Sequence, residues 1–373
     1  MKKNFKRWIA LAMVGTISLS LVGCKPKPII LKEVTTAKNV ILMIGDGMGP
    51  TQIEAGELYK DEKLTMQGFP YMTKVETCSA NAKVTDSAAA ATALATGTRT
   101  ANGVIGKDVN GDDLTTIVDI AASLGKRTGV ITTEELYGAT PMGFSGHSTA
   151  RSSSRELLET AAASSNVNLF ACSYIQKTHR NYFTSAGYEE IEYAENISES
   201  TSDKVFGSYI IDAIAEEMWS DGSMVAFDRL VTEALEYLSQ DEDGFFLMAE
   251  GAHIDHGGHN NDITYMLQEL LSFDDAVKAV LEWAKDRDDT VVIVTADHET
   301  GGLTLNEDAT HEDMVAAYEG EQGVYLWTST GHTSTDVNLY INGADINFAQ
   351  YSFGTNDRIK NTDVFEILKS LME

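Results

Sequence analysis

The chain has 373 residues and an apolar fraction of 43%, enough to bury one large core without disulfide or metal staples. Its formal charge is −28 and no Lys/Arg cluster interrupts the body, which argues against a nucleic-acid backbone or an anionic lipid surface as a charge-recognised partner. Any anionic substrate needs a local source of positive charge.

The first element is a targeting segment. Lys2, Lys3, Lys6 and Arg7 precede an apolar run from Trp8 to Val22, too short and too close to the start for an internal membrane span. The run ends Leu21-Val22-Gly23-Cys24, which resembles a bacterial lipobox. That resemblance makes residues 1–23 a lipoprotein signal peptide and Cys24 the acylated first residue of the mature protein, tethered to the cell membrane outside the cytoplasm. An ordinary signal peptide or an anchor helix is the alternative. Residues 24–38, with Lys25-Pro-Lys-Pro28, read as a linker, and residues 39–373 as one catalytic body. Cys78 and Cys172 either pair in an oxidising compartment or serve as small buried side chains.

Beyond the linker, strand-like and helix-like segments alternate. Asn39 to Ile44, Lys126 to Thr132, Gly244 to Ala249 and Thr290 to Thr295 are short apolar runs rich in β-branched residues. Helical patterns lie near Ser87 to Ala95, Thr115 to Leu124, Ala150 to Ser164, Met224 to Ser239, Ile263 to Lys285 and Asp363 to Met372. The alternation predicts an α/β fold, a mostly parallel sheet with helices on both faces, and such sheets bind ligands beyond the carboxyl ends of their strands. Three of the four runs empty into candidate ligands: Ile44 into Asp46, Ala249 into Glu250, and Thr295 into Asp297 and His298. The Ser/Glu-rich stretch Glu189 to Lys204 reads as a solvated surface insertion.

Asp46 sits in a Gly-rich turn, Ile44-Gly-Asp-Gly-Met-Gly49, where backbone can approach a ligand closely. Ser87 opens an alanine-rich helix, a place that favours negative charge such as an alkoxide or a phosphate, although a plain helix cap reads the same way. Thr140 and Arg151 follow the second strand; Arg offers a planar fork for two phosphoryl oxygens, or else a surface ion pair. Glu250-Gly-Ala-His-Ile-Asp255-His256-Gly-Gly-His259 and Thr295-Ala-Asp297-His298-Glu299 crowd carboxylates and imidazoles at spacings that suit divalent cations. His332 stands in a Gly/Thr-rich loop.

In this order, Gly-Asp46-Gly-Met-Gly, Thr-Asp-Ser87-Ala-Ala, Ala-Thr140-Pro with Arg151 behind it, Glu250-Gly-Ala-His-Ile-Asp255 with His259, Thr-Ala-Asp297-His298 and Gly-His332-Thr resemble the alkaline phosphatase family. The resemblance implies two Zn2+ sites and one Mg2+ site. Asp255, His259 and His332 would hold the first zinc, Asp46, Asp297 and His298 the second, and Asp46, Thr140 and Glu250 the magnesium. Ser87 would be the nucleophile that forms a phosphoserine, Arg151 would bind the phosphoryl oxygens, and His256 would contact substrate phosphate or a metal-held water. Small phosphate monoesters would be the substrates. Gly138 departs from relatives that carry Asp or His there, and Ala171-Cys172-Ser173-Tyr174 replaces consecutive glycines. The segments after Phe170 and between Gly302 and Thr330 are short for the insertions that build a dimer-capping subdomain, so a homodimer stays open. A phosphodiesterase on the same metals and a non-catalytic metal- or phosphate-binding lipoprotein are the alternative functions.

Overall fold

A computed structural model describes residues 27–163, 166–211, 224–321, 323–351 and 358–373. The leader and Cys24 lie outside the described residues. From its start the catalytic body runs β1 (Asn39–Gly45), α1 (Pro50–Lys60), β2 (Tyr71–Glu76), α2 (Ser87–Thr96), α3 (Ile117–Ser123), β3 (Arg127–Thr132), α4 (Ala139–Ser145), α5 (Ser154–Ala163) and β4 (Leu169–Ser173). It continues through α6 (Lys177–Ser185), β5 (Glu189–Ile191), β6 (Val205–Ile211), β7 (Met224–Val225), α7 (Phe227–Leu238), β8 (Phe245–Gly251), α8 (His253–Asn260) and α9 (Ile263–Ala284). The last part holds β9 (Thr290–Thr295), β10 (Glu299–Thr300), β11 (Leu303–Leu305), α10 (His311–Tyr318), β12 (Tyr325–Trp327), β13 (His332–Thr333), β14 (Val337–Asn342), β15 (Arg358–Lys360) and α11 (Asn361–Met372).

The β-branched runs have no polar face to give to solvent, so they occupy the middle of the sheet, where both faces are covered. The strand order is β15-β2-β14-β9-β1-β8-β3-β4-β6-β5, with β7 paired to β6. Every described pairing in this sheet is parallel except those of β14, which runs against both β9 and β2. All residues of β1, β8 and β9 are buried. Helices α7 and α9 pack on one face, and α3, α4 and α11 on the other. The expected α/β architecture is the observed one.

Register matters more than length here. Ile44 pairs with Glu250 on one side and with Thr295 on the other, and Thr132 also pairs with Glu250. The carboxyl ends of β3, β8, β1 and β9 are therefore level, and the residues leaving each strand arrive at one edge.

Several expectations change. Met224 and Val225, read as the start of a helix, pair with Ile210 and Ile211, and α7 begins at Phe227. The helix expected from Ala150 begins at Ser154, because Ala150 and Arg151 form a turn held to Ser153 and Gly103; Ser164 lies outside the described residues. The stretch from Glu189 is largely exposed as expected, but Glu189–Ile191 also forms an edge strand beside β6, and Ala194 and Ile197 behind it are buried. Cys78 and Cys172 are free, and Cys172 packs in the core. No helix among the described residues is long and apolar enough to cross a membrane.

Ile41, at the centre of β1 with no exposed surface, tests the core. Ile41→Ala is expected to cost about 2–5 kcal/mol, through lost transfer energy plus a cavity. It should be read as a lower denaturant midpoint with an unchanged slope.

Candidate metal centre

The sheet edge gathers four carboxylates and three imidazoles. Asp46 follows β1, Glu250 ends β8, and Asp297 and His298 follow β9; Asp255 and His259 stand one turn apart on α8. His332 comes from much later in the chain. It is brought in because β13 pairs antiparallel with β10, setting His332 opposite Thr300. Glu299, buried in the same ladder, accepts from the Gln52 amide, the Thr333 hydroxyl and the Gly302 amide, so it fastens this hairpin to α1.

Two clusters result. In the first, His259 Nε2 lies 3.3 Å from Asp255 Oδ2, His332 Nε2 lies 3.5 Å from Asp255 Oδ1, and the two Nε2 atoms are 3.2 Å apart. In the second, His298 Nε2 lies 3.1 Å from Asp297 Oδ2 and 3.5 Å from Asp46 Oδ1. Asp255 is also close enough to join Asp46 and His298 around one ion, so the clusters adjoin.

The far sides of the rings fix which nitrogen is bare. His259 Nδ1 meets the Thr330 carbonyl at 2.6 Å and His332 Nδ1 meets the Thr85 carbonyl at 2.9 Å. A carbonyl only accepts, so each Nδ1 carries the hydrogen and each Nε2 is left with a lone pair. His298 Nδ1 faces the Thr300 hydroxyl at 3.2 Å, and that hydroxyl donates onward to Asp255. Three Nε2 lone pairs thus converge on carboxylate oxygens, an arrangement that is repulsive unless a proton or a metal lies between.

Orphaned atoms point the same way. Asp46 Oδ1, Asp297 Oδ2, Thr140 Oγ1 and Glu250 Oε1 are buried without a hydrogen-bond partner, although buried polar groups are ordinarily satisfied. Mixed imidazole and carboxylate donors in the two clusters suit zinc. Thr140, Glu250 and Asp46 offer oxygen only, which suits magnesium. The residues present therefore fit the implied cations. Thr132 donates to the other oxygen of Glu250 and aims Oε1 inward.

Charge is set by the crowding. Burial raises the Asp46 carboxyl well above its ordinary range, and Asp297, Asp255, Glu250 and Glu134 push it further. Burial and then Glu134 raise Glu250 in the same way. Burial opposes ionisation of Asp255 too, but the hydrogen bond from His259 and the charge on His298 bring it well below the usual carboxylate range.

Ser87 takes position N1 of α2, and Asp86, not Ser87, caps the helix by accepting from the Ala89 amide at 3.0 Å. The serine hydroxyl is thus released from capping and lies 3.2 Å from His298 Nε2. The glycine after Asp46 is required: Gly47 has φ +73°, and a Cβ there would sit 2.6 Å from the Asp255 Cα. Its amide donates to Asp297 Oδ1 at 3.2 Å.

Arg151 is partly exposed at the rim, its Nη1 3.3 Å from Asp86 Oδ2, next to Ser87 in the chain. His256 is exposed on α8 and stacks on His253 with ring centres 4.8 Å apart; the structure does not bring it into either cluster. Sequence reasoning placed Glu299 in the metal-suggesting stretch without its fastening role, and missed Thr132, Thr300 and the Thr85 and Thr330 carbonyls. Only Thr132 carried a signal, as a polar residue closing an apolar strand.

A parallel sheet whose carboxyl edge gathers two imidazole–carboxylate clusters beside a helix-opening serine defines an α/β metalloenzyme. The family model described as alkaline phosphatase matches residues 37–181 and 177–322. Alkaline phosphatase 3 of Bacillus subtilis (strain 168) is 30% identical over 354 residues, covering 88% of this chain and 74% of that protein. The alkaline phosphatase of Escherichia coli (strain K12) is 28% identical over 410 residues, covering 90% and 86%. The solved alkaline phosphatase of the Antarctic bacterium TAB5 superimposes with a TM-score of 0.75 at 27% identity, covering 91% of this chain and 99% of that one. A mutant of that enzyme has Mg bound in its M3 site. The chain belongs to the alkaline phosphatase family, whose members are metal-dependent phosphomonoesterases.

The metal-free protein has a defined pH response. Burial raises the Glu134 carboxyl from 4.5 to about 8, and the bond to Asp255 raises His259 from 6.5 to about 9. A raised folded-state pKa contributes stability in full below the unfolded value, and the contribution is lost as pH climbs through the folded value. Both groups thus weaken the metal-free fold between about pH 4.5 and 9, whereas the lowered Asp255 carboxyl loses its contribution only as pH falls below this window. Divalent cations bind deprotonated ligands and gain affinity over the same range. In chelator, the melting temperature should fall from about pH 5 to pH 9, and the increment restored by zinc should grow; a flat profile in chelator would contradict this assignment.

Proposed function

We propose that the chain hydrolyses small phosphate monoesters to alcohol and inorganic phosphate through a phosphoserine on Ser87, at two zinc sites and one magnesium site. The observation that carries this reading is the position of Ser87, freed from capping by Asp86 and set 3.2 Å from His298 Nε2 of the second donor cluster. Asp255, His259 and His332 would hold one zinc, Asp46, Asp297 and His298 the other, and Asp46, Thr140 and Glu250 the magnesium. Bound there, the cations supply Lewis acidity and the positive charge that an acidic body lacks.

The protein groups carry the remaining steps. Ser87 Oγ, at the positive end of α2, attacks phosphorus in line with the ester oxygen; the O–P bond to Oγ forms as the ester P–O bond breaks, and the alcohol leaves with a proton. Water attacks the phosphoserine from the vacated side, releasing phosphate and returning a proton to Ser87. Arg151, turned from Asp86 towards the site, places two donors on non-bridging oxygens, a bidentate grip that lysine could not reproduce. His256, exposed on α8, would contact substrate phosphate or a metal-held water. The Leu21–Cys24 tetrapeptide supports export and an acyl anchor at Cys24, so the enzyme would act outside the cytoplasm on esters that reach the cell surface.

Ser87→Ala should abolish covalent labelling by a radiolabelled aryl phosphate and lower turnover by several orders of magnitude, while zinc content by elemental analysis is unchanged. Label retained on the variant would reject Ser87 as the nucleophile. The wild-type protein should turn over an aryl phosphate far faster than a bis-aryl phosphate, the reverse ratio being the mark of a diesterase.

A further inference from the structure

Gly138 caps the helix that carries Thr140, and the space a side chain would take there is already filled. A Cβ built on Gly138 would lie 1.7 Å from Glu134 Oε1 and 2.3 Å from its Cδ. The Glu134 carboxylate therefore lies across Gly138, two residues before Thr140. Its backbone is held in that place: the amide donates to Thr132 Oγ1 at 3.1 Å, and the carbonyl accepts from the Ser173 amide at 2.8 Å. Thr132 is the same hydroxyl that donates to Glu250. Of all charges around Glu250, Glu134 acts on it most strongly, and Asp46 feels it as well. Two acceptors of the oxygen-only set, Thr140 Oγ1 on the helix that Gly138 caps and Glu250 Oε1 on β8, are orphaned with no exposed surface. A further carboxylate whose charge bears on both Glu250 and Asp46 is costly unless a cation offsets them together. Arg151, whose positive charge favours the ionised Glu134 carboxylate, is partly exposed and bonded to Asp86.

We infer that Glu134 is a cation-holding residue of the oxygen-only site, its carboxylate serving the Asp46–Thr140–Glu250 cation from the volume that residue 138 leaves free. The inference rests on the magnesium reading of that site. It makes Gly138 and Glu134 one device: the glycine is required because the glutamate occupies its side-chain space, and the site gains a third carboxylate, which favours a hard divalent cation over zinc.

The test measures Mg2+ affinity by calorimetry and by equilibrium dialysis with elemental analysis, on protein whose zinc sites are already filled. Glu134→Gln should weaken Mg2+ about 10–100-fold, the range for groups that support metal ligands. Glu135→Gln, which removes the same charge from the exposed neighbour, should leave Mg2+ affinity unchanged. Gly138→Asp alone should lower the melting temperature, because two side chains then contend for one space. Gly138→Asp combined with Glu134→Ala should restore both the melting temperature and Mg2+ binding. Wild-type affinity in Glu134→Gln, or equal losses in Glu134→Gln and Glu135→Gln, would overturn the role of Glu134 and leave the magnesium site standing. Failure of the wild-type protein to bind Mg2+ beyond its zinc would overturn both readings.

Discussion

Everything at the sheet edge depends on one electrostatic constraint: Asp46, Glu250, Asp255 and Asp297 are buried within reach of one another, with only three imidazoles to offset them. Like charges a few ångströms apart repel by several kcal/mol at the effective dielectric of a protein. Protons relieve part of this, which is why burial and neighbours push Asp46 and Glu250 upward. Divalent cations relieve it more completely, because each can face several carboxylates at once. The site is thus built with a deficit of positive charge, and the deficit selects its ligand.

A repulsive cluster survives only on a scaffold that cannot relax. Here the scaffold is the level carboxyl ends of β3, β8, β1 and β9, whose ladders leave no freedom to splay. The remaining orientation comes from small polar groups. Thr132 turns Glu250, Thr300 links Asp255 to His298, and two carbonyls hold the outer nitrogens of His259 and His332. The tripeptide Thr85-Asp86-Ser87 concentrates this economy. Its first carbonyl orients His332, its second side chain caps α2 and receives Arg151, and its third carries the hydroxyl that meets His298.

The central strands were legible because β-branched runs allow almost no other conformation, and the observed bounds of β9 match the expected run from Thr290 to Thr295. Asp46, Glu250, Asp297 and His298 were legible for the same reason, since each stands where such a run ends. Helix α8 was not, although it carries Asp255 and His259. Gly257 and Gly258 depress its helical signal, and they are needed where Met266 backbone and the Thr300 carbonyl approach within 3 Å of their Cβ positions. The β10–β13 pairing and the Thr330 carbonyl join residues far apart in the chain and have no local pattern. At Glu189 the solvent-facing side chains were legible and the edge strand was not, because its polar side chains gave no alternation.

The chain's charge of −28 and the site's appetite for phosphate pull in opposite directions, and geometry reconciles them. Screening confines the field of surface carboxylates to about 8–10 Å at physiological salt, so repulsion of an approaching anion is a rim effect. At the rim stands Arg151, its side chain 43% exposed and held by Asp86 at 3.3 Å. A pair this exposed is worth little, about 0–1 kcal/mol, so the guanidinium can leave Asp86 for a phosphoryl group at small cost. Asp86 stays satisfied when it does, because the Ala89 and Gly103 amides still donate to it at 3.0 and 2.9 Å. In the proposed role of Arg151 the same weak pair would favour turnover, because the guanidinium would have Asp86 to return to once phosphate departed.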